Sequence, residues 1–276
     1  METTVYTTLC NALLPAVLSA GRLQVDYLRR GVSVETKADR TPVTLADRES
    51  EAIILASLAA AAPGIAVVAE EAMAGGDKPV IGDRFFLVDP LDGTREFIAG
   101  RREFTINIAL VENRQPVFGL IYAPATGQFF ANMGAELAVE ADVDASRAIT
   151  SLAEIATRRM QSRAPPAAGL VAIASRSHMT EATGRYLDRF VLQDSRSAGS
   201  SLKFCLIARG DADIYPRIGG RTCEWDIAAG HAILAAAGGV VVQPDGTAMR
   251  YGKTKAGFVN SDYVALGRAA IMDLRR

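Results

Sequence analysis

The chain has 276 residues, of which 49% are hydrophobic and 22% charged, and its formal net charge at pH 7 is -1. This composition is typical of an ordinary globular protein with a substantial core, and it excludes a disordered chain. A charge so close to zero creates no field that would attract nucleic acid or anionic lipid, so any bound phosphate must be met by local groups.

The cysteines and histidines exclude further classes. Cys10, Cys205 and Cys223 are widely spaced and form no C-x-x-C pair, which argues against a disulfide framework and against a zinc site. The two histidines, His178 and His231, are too few for a His-rich metal site. The chain begins Met-Glu without a basic region, and no apolar run has the length of a membrane span. We therefore expect a cytoplasmic protein without a signal peptide or a transmembrane segment.

Two helices are predicted at the start of the chain. Apolar residues recur at three- to four-residue steps from Val5 to Tyr27, which predicts an amphipathic helix ending near Arg30. A second helix is expected from Thr44 to the stop at residues 63–64. Asp47, three residues after Thr44, has two interpretations: it stabilises the first turn of this helix, or it is an acid that supports a nearby site.

A short buried strand is predicted over residues 65–69, and it leads into Glu70 and Glu71. Adjacent side chains on a strand point to opposite faces, so only one of these two acids is expected to face a site. We select Glu70, mainly on the family resemblance given below.

The most informative stretch is FFLVDPLDGTREF, residues 85–97. Its apolar start predicts a buried strand, and Asp89 lies at the carboxyl end of that strand, where open sheets usually bind ligands. Asp89 and Asp92 would repel each other unless a hard cation such as Mg²⁺ lay between them. The amides of Gly93 and Thr94 are available to a phosphate oxygen. The alternative is an ordinary turn after a strand, since Pro, Asp and Gly are common turn residues.

The middle of the chain predicts a meander of antiparallel strands over residues 104–110, 117–123 and 128–133. Residues 157–169 are basic, rich in Pro and Ala, and without periodicity, so they are the candidate connection between two halves. We predict one catalytic unit over 1–276, formed by an N-terminal half, 1–156, and a C-terminal half, 170–276.

The second half carries three polar stretches beside predicted elements. A strand over 170–174 leads into SRSH, residues 175–178, which is either an anion-binding corner or a helix cap followed by a surface histidine. GSSLK, residues 199–203, precedes an apolar helix over 204–208 and offers an anion site with a lysine. Asp226 begins a helix of small residues that ends at 238–239, where it is either a cap or a ligand, and the neighbouring Trp225 would ordinarily be core. Strands are expected over 211–215 and 240–243, and a helix over 265–274.

Three of these motifs together resemble the inositol monophosphatase superfamily of Mg²⁺-dependent, lithium-sensitive phosphatases. They are Glu70-Glu71, DPLDGT over 89–94, and Trp225-Asp226 before a helix that ends in glycine. The resemblance runs from about Lys37 to Gly239. Further stretches are similar to the CysQ-type 3'(2'),5'-bisphosphate nucleotidases: PVTLAD over 42–47, DGTREF over 92–97, EFTINIA over 103–109, YAP over 122–124, SRSH over 175–178 and GSSLKFC over 199–205. The fold that this implies is a layered α/β (α+β) sandwich of αβαβα type.

Carried over residue by residue, the resemblance implies a metal site, catalytic residues and a substrate site. The expected cofactor is Mg²⁺, as two or three ions with Asp89 bridging two of them, and Li⁺ is expected to inhibit by replacing one. The implied metal ligands are Glu70, Asp89, the backbone carbonyl of Leu91, Asp92 and Asp226. The implied catalytic residues are Asp47, Glu70 and Thr94, of which Thr94 and Asp47 orient and deprotonate the attacking water. The implied phosphate and substrate contacts are Gly93, Thr94, His178, Ser201, Lys203, Arg217 and Asp226.

The substrate is inferred from the basic residues. Polyol phosphatases of the superfamily commonly carry an acid after the strand that ends here at Tyr215, whereas this chain has Arg217. An arginine favours a second phosphate over a polyol, so we expect adenosine 3',5'-bisphosphate, a by-product of sulfate assimilation, as the substrate. The expected products are AMP and phosphate. The alternatives are an inositol, histidinol or fructose phosphatase, and a non-catalytic metal- or nucleotide-binding protein. By resemblance, a homodimer and at most a peripheral association with the inner face of the membrane are compatible with the sequence.

Overall fold

The computed structural model describes residues 2–31, 34–36, 42–175 and 179–275. Within these residues the elements form five alternating layers of helix and sheet, as the expected αβαβα sandwich requires. The described helices are α1 (Glu2–Arg30), α2 (Leu45–Ala61), α3 (Glu70–Ala74), α4 (Thr94–Ile98), α5 (Glu181–Leu187), α6 (Leu202–Ala208) and α7 (Glu224–Ala236). Three short 3-10 helices span Leu152–Glu154, Thr254–Ala256 and Ala269–Leu274.

The first layer is the pair α1 and α2, both of which the periodicity predicts. Leu13, Leu14 and Val17 of α1 are fully buried, and they belong to one apolar cluster with Phe86 and Val88 of the neighbouring sheet. The helix stripe therefore covers one face of that sheet. Burying each such side chain stabilises the fold by roughly 1.5–3 kcal/mol relative to leaving it in water.

The second layer is a seven-stranded sheet in the order β3-β4-β5-β6-β7-β8-β9. Only the β3–β4 pair is parallel among its described strands, and the other neighbours are antiparallel, which confirms the predicted meander. The strands are β3 (Ala66–Ala69), β4 (Arg84–Asp92), β5 (Thr105–Glu112), β6 (Gln115–Ala123), β7 (Gln128–Asn132), β8 (Ala138–Asp142) and β9 (Arg158–Met160), and a separate ribbon pairs β1 (Val34–Thr36) with β2 (Pro42–Thr44).

The third layer consists of α6 and α7, which lie between the two sheets. Alternate residues of β4, such as Phe85 and Leu87, point to this side and share a core with Ala228 and Ile233 of α7 and with Val171 of the second sheet. Because α7 is lined with small residues, it packs closely on both sides. Both helices come from the C-terminal half of the chain and cover the sheet of the N-terminal half.

The fourth layer is a five-stranded sheet in the order β11-β10-β12-β14-β13, and α5 covers its far face as the fifth layer. The β11, β10 and β12 strands are mutually parallel, and β14 is antiparallel to both β12 and β13. The strands are β10 (Leu170–Ser175), β11 (Leu192–Ala198), β12 (Ile214–Arg217), β13 (Val240–Val242) and β14 (Tyr263–Leu266).

Three element predictions were wrong. Glu70 and Glu71 do not continue a strand, because they form the first turn of α3, whose acidic residues suit the positive end of the helix. Residues 265–274 are not one helix: they start in β14, which fills a sheet position between β12 and β13, and only Ala269–Leu274 is helical. The segment 157–169 begins with β9, so the first sheet extends past residue 156. The division into two halves stays a prediction.

Candidate active site

The two aspartates of the DPLDGT motif face the same cleft because of a bulge in β4. Asp89 pairs with Asn107 of β5, and Asp92 pairs with Thr105, so three steps along β4 correspond to two along β5. In a regular strand, residues three apart point to opposite faces, and one extra residue turns the second back to the side of the first. Asp89 and Asp92 accordingly both line the same cleft.

A cluster of carboxylates forms the floor of this cleft. One oxygen from each of Glu70, Asp89 and Asp226 lies within 4.8 Å of the others. These residues come from the first turn of α3, the end of β4 and the first turn of α7. Burial, followed by the neighbouring carboxylates of Asp92 and Glu70, raises the pKa of Asp226 well above its usual range. The carboxylates of the cluster repel one another, and a bound cation would relieve that repulsion.

The donor set fits a hard divalent cation. Carboxylate and carbonyl oxygens are the ligands that such ions prefer, and the cluster offers no nitrogen or sulfur ligand among its members. The Leu91 backbone lies beside it: its N–H donates to Asp89 Oδ1 at 3.0 Å, and its carbonyl accepts from Thr94 Oγ1 at 3.2 Å.

Glu70 is placed by a carboxylate on α2. Glu51 accepts hydrogen bonds from the amides of Glu71 and Ala72, each at 2.8 Å, and so holds the first turn of α3. Glu51 is a residue that the sequence interpretation missed.

Asp47 caps α2 and also contacts Thr94. Its Oδ2 accepts from the amide and the hydroxyl of Thr44, at 2.8 and 2.6 Å, at the start of α2. Its Oδ1 accepts from Thr94 Oγ1 at 3.2 Å. The bonds to Thr44 fix the carboxylate, and the free rotation that an exposed aspartate would have is lost. Asp47 is therefore held against Thr94, whose side chain lines the cleft.

Gly93 allows the turn between β4 and α4. Its φ is +93°, in the left-handed region, and a Cβ there would lie 3.0 Å from the carbonyl oxygen of Glu103. Both the conformation and the close approach require glycine. The turn brings the amides of Gly93 and Thr94 to the cleft beside the carboxylates.

The cleft has a volume of about 750 Å³, and its wall from the C-terminal half carries two buried cations, Lys203 and Arg217. Lys203 donates to the Ser200 carbonyl, and its Nζ lies 5.4 Å from the centre of the Tyr215 ring. Arg217 ends β12, and Gly220 packs on its guanidinium, where an added Cβ would come within 2.7 Å of Cζ.

One predicted contact, Ser201, does not reach the cleft surface. Ser201 is only 1% exposed, and its hydroxyl donates towards Asp92 Oδ2 at 2.9 Å. His178 lies outside the described residues. Trp225 is 8% exposed, as expected of a core residue, and packs near Phe258. It also contributes to the cleft wall.

Sequence reasoning also missed Thr105 and Asn107, which are fully buried on β5 beside Asp92. The signal was present: they are polar residues two apart in an otherwise apolar strand, so they share one face.

Residues 6–272 match the model of the Inositol monophosphatase family. The chain belongs to the inositol monophosphatase family. Among solved structures, it is similar to CysQ from Bacteroides thetaiotaomicron, described as a bacterial member of this family, with a TM-score of 0.74, 33% identity, and coverage of 95% of this chain and 98% of that one. An IMPase from Thermotoga maritima shares the fold with a TM-score of 0.73 at 24% identity, covering 94% of this chain and 92% of that one.

Within the inositol monophosphatase family, the chain is similar to curated proteins named 3'(2'),5'-bisphosphate nucleotidase CysQ. The protein from Shigella flexneri is 38% identical over 229 residues, which cover 83% of this chain and 87% of that protein. The one from Escherichia coli K12 is 37% identical over 230 residues, with the same coverage. Among the described helices, none is both long enough and apolar enough to cross a bilayer.

Proposed function

We propose that this chain is a 3'(2'),5'-bisphosphate nucleotidase that removes the 3'-phosphate of adenosine 3',5'-bisphosphate to give AMP and phosphate. The observation that carries the proposal is the pairing, in one cleft, of an acidic cluster with two buried cations, Lys203 and Arg217. The acids suit a metal-dependent phosphatase, and the cations suit a substrate with a second phosphate. Similarity to proteins named as bisphosphate nucleotidases supports the same assignment.

The proposed cofactor is Mg²⁺, as two or three ions, with Li⁺ as an inhibitor. When bound, the metal neutralises phosphate oxygens, lowers the pKa of a bound water and stabilises the leaving oxygen. The residues that would hold it are Glu70, Asp89, the carbonyl of Leu91, Asp92 and Asp226.

The chain's own residues supply the water and phosphate positions. The Thr94 hydroxyl donates to Asp47, so a water that donates to Thr94 Oγ1 can pass its proton along this hydrogen bond to the carboxylate. The Gly93 and Thr94 amides would hold the transferred phosphate. Because the acids bind metal, we expect direct attack by water and no covalent phosphoenzyme.

The second phosphate of the substrate is assigned to Lys203 and Arg217. The guanidinium of Arg217 can pair with two phosphate oxygens, and its burial by Gly220 strengthens that interaction relative to an exposed arginine. Asp226 and His178 are kept as further substrate contacts in this proposal, although His178 lies outside the described residues. Ser201 is not kept, because its buried hydroxyl faces Asp92.

The test is phosphate release from adenosine 3',5'-bisphosphate and from inositol 1-phosphate, measured side by side at fixed Mg²⁺. We expect a strong preference for the bisphosphate in the wild type and loss of activity in Asp92→Asn. Arg217→Glu should remove the preference while leaving hydrolysis of a monophosphate measurable. Preference for inositol 1-phosphate, or an unchanged preference in Arg217→Glu, would overturn the substrate assignment. Activity on neither compound would favour a binding protein instead.

We propose the cytoplasm as the location and a homodimer as the assembly. No observation on the described residues supports the peripheral membrane association that the resemblance allowed.

A further inference from the structure

The carboxylate of Asp92 is hydrogen-bonded on one side only. Its Oδ2 lies 2.7 Å from Ser200 Oγ, 2.9 Å from Ser201 Oγ and 3.4 Å from Asn107 Nδ2. Among the described residues, no side chain or amide donates to Oδ1. Three donor groups therefore surround Oδ2, while Oδ1 is left as an acceptor in the cleft that Asp92 lines.

The groups that surround Oδ2 also bind each other. Asn107 Nδ2 donates to Ser201 Oγ at 2.9 Å. Thr105 Oγ1 lies 2.9 Å from Asn107 Oδ1 and within hydrogen-bond distance of Ser200 Oγ. We call Thr105, Asn107, Ser200 and Ser201 the Asp92 network. All four are buried, with exposed fractions from 0% to 8%. A closed set of buried hydrogen bonds of this kind fixes the rotamer of each member.

The backbone adopts an uncommon conformation at Ser200 in the arrangement that surrounds Asp92. Ser200 has a φ of +55°, a left-handed conformation that is uncommon for residues other than glycine. This conformation lies in the stretch between β11 and α6 that brings both serine hydroxyls to Asp92.

The Asp92 network joins the two walls of the cleft. Thr105 and Asn107 belong to β5 of the first sheet, whereas Ser200 and Ser201 precede α6 in the C-terminal half. Ser201 Oγ also lies 2.8 Å from the backbone carbonyl oxygen of Asp226 on α7. Asp92 can thus keep its orientation only while both walls are in place.

We propose that the Asp92 network consists of positioning residues, which turn Oδ1 of Asp92 to the cleft and thereby set the affinity for the divalent cation held with Asp226. This inference rests on the metal site of the proposed function, and it does not depend on which phosphate ester is the substrate. It gives Ser201 a role different from substrate contact: the hydroxyl acts through a carboxylate.

The experiment is Mn²⁺ binding to the full chain without substrate, measured by electron paramagnetic resonance of free Mn²⁺ and by calorimetry. Ser201→Ala should weaken the affinity of the site containing Asp92 by roughly 10-fold or more, the usual effect of removing a group that orients a metal ligand. Ser201→Thr keeps a hydroxyl and should restore much of the affinity. Ser200→Ala removes a different hydroxyl and is the second variant should Ser201→Ala fail to fold.

The matched control is Ser162→Ala. Ser162 is equally buried and donates to a backbone carbonyl, that of Ala237, at 2.9 Å, but it does not contribute to the cleft. It should lose stability without losing Mn²⁺ affinity, which separates positioning from folding.

A kinetic comparison separates positioning from substrate contact. In Ser201→Ala, the Mg²⁺ concentration for half-maximal activity should rise, and KM for the substrate at saturating Mg²⁺ should stay within about twofold of the wild type. Wild-type Mn²⁺ affinity in both serine variants, or absence of Mn²⁺ binding by the wild type, would overturn the inference. A wrong substrate assignment would leave the Mn²⁺ result unchanged, so the two failures can be told apart.

Discussion

The approach of β6 to α7 gives the sharpest test of the layered packing. A Cβ added at Gly119 of β6 would lie 2.2 Å from the carbonyl oxygen of Ala229 on α7 and 2.9 Å from its Cα. That is about 1 Å or more closer than ordinary contact between non-bonded atoms. The added Cβ is fixed to the β6 backbone and meets backbone atoms of α7, so no change of side-chain rotamer can relieve the clash. Gly119→Ala must therefore displace the helix that carries Asp226.

The magnitude follows from this geometry. Overpacking of a core costs typically 1–3 kcal/mol, and a clash between backbones belongs at the upper end, so we expect Gly119→Ala to lower the free energy of unfolding by about 3 kcal/mol. For a chain of this size, that corresponds to a fall in Tm of roughly 5 °C. Thermal and urea unfolding followed by circular dichroism measure both quantities, and Mn²⁺ affinity should fall with them.

The control is Gly184→Ala in α5. An added Cβ there meets no heavy atom within 4 Å, and alanine is the better helix former by about 1 kcal/mol, so this variant should be slightly more stable than the wild type. A Tm of Gly119→Ala within one degree of the wild-type Tm would contradict the close contact between β6 and α7. It would also contradict the close packing of the small residues of α7 on the first sheet.

Three other predictions concern charge and metal. Burial lowers the pKa of His231 to about 4, below its usual value near 6.5, so the unfolded chain binds the proton more tightly. Stability should therefore be full above about pH 7.5 and fall by about 2 kcal/mol between pH 7.5 and 5. Unfolding followed against pH should show this loss in the wild type but not in His231→Asn. Asp213→Asn should lower the free energy of unfolding by about 2 kcal/mol, because the fully buried carboxylate accepts two hydrogen bonds from partly exposed Arg163 and one from the Val171 amide. The control is Glu181→Gln, which breaks an exposed ion pair with Arg185 and should not change the free energy of unfolding measurably. Mg²⁺ at ten times its Kd should raise the free energy of unfolding of the wild type by about 1.4 kcal/mol, and a chelator should reverse this gain. The gain should be smaller in Asp92→Asn, and equal gains in the wild type and the variant would contradict the proposed ligands.

The acidic motif of the cleft was recognisable in the sequence because its parts are close in the chain. Asp89, Asp92, Gly93 and Thr94 occupy six residues at the end of an apolar run, and their chemistry can be read without knowing the fold. The capping role of Asp47 was predictable for a similar reason, since Thr44 and Asp47 form a local capping pattern.

The rest depended on tertiary contacts that no local pattern encodes. The sequence of β4 does not reveal its bulge, which exists only in the pairing with β5. Ser201 and Asn107 are 94 positions apart and meet at Asp92 only after the second half packs on the first. The end of β14 was mistaken for the start of a helix because only Gly267 and Arg268 separate it from the helical residues Ala269–Leu274, and a short apolar run fits either structure.

The position of α7 between two sheets has a consequence for the order in which the site opens. All but two of its 13 residues are buried, so its amides should exchange with solvent deuterium only when the whole molecule unfolds. The five residues of α3 include no buried side chain, and they follow the edge strand β3. Exchange at α3 should therefore be faster by orders of magnitude. Glu70 thus lies on a less protected element than Asp226, and release of the proposed metal ion should begin at Glu70.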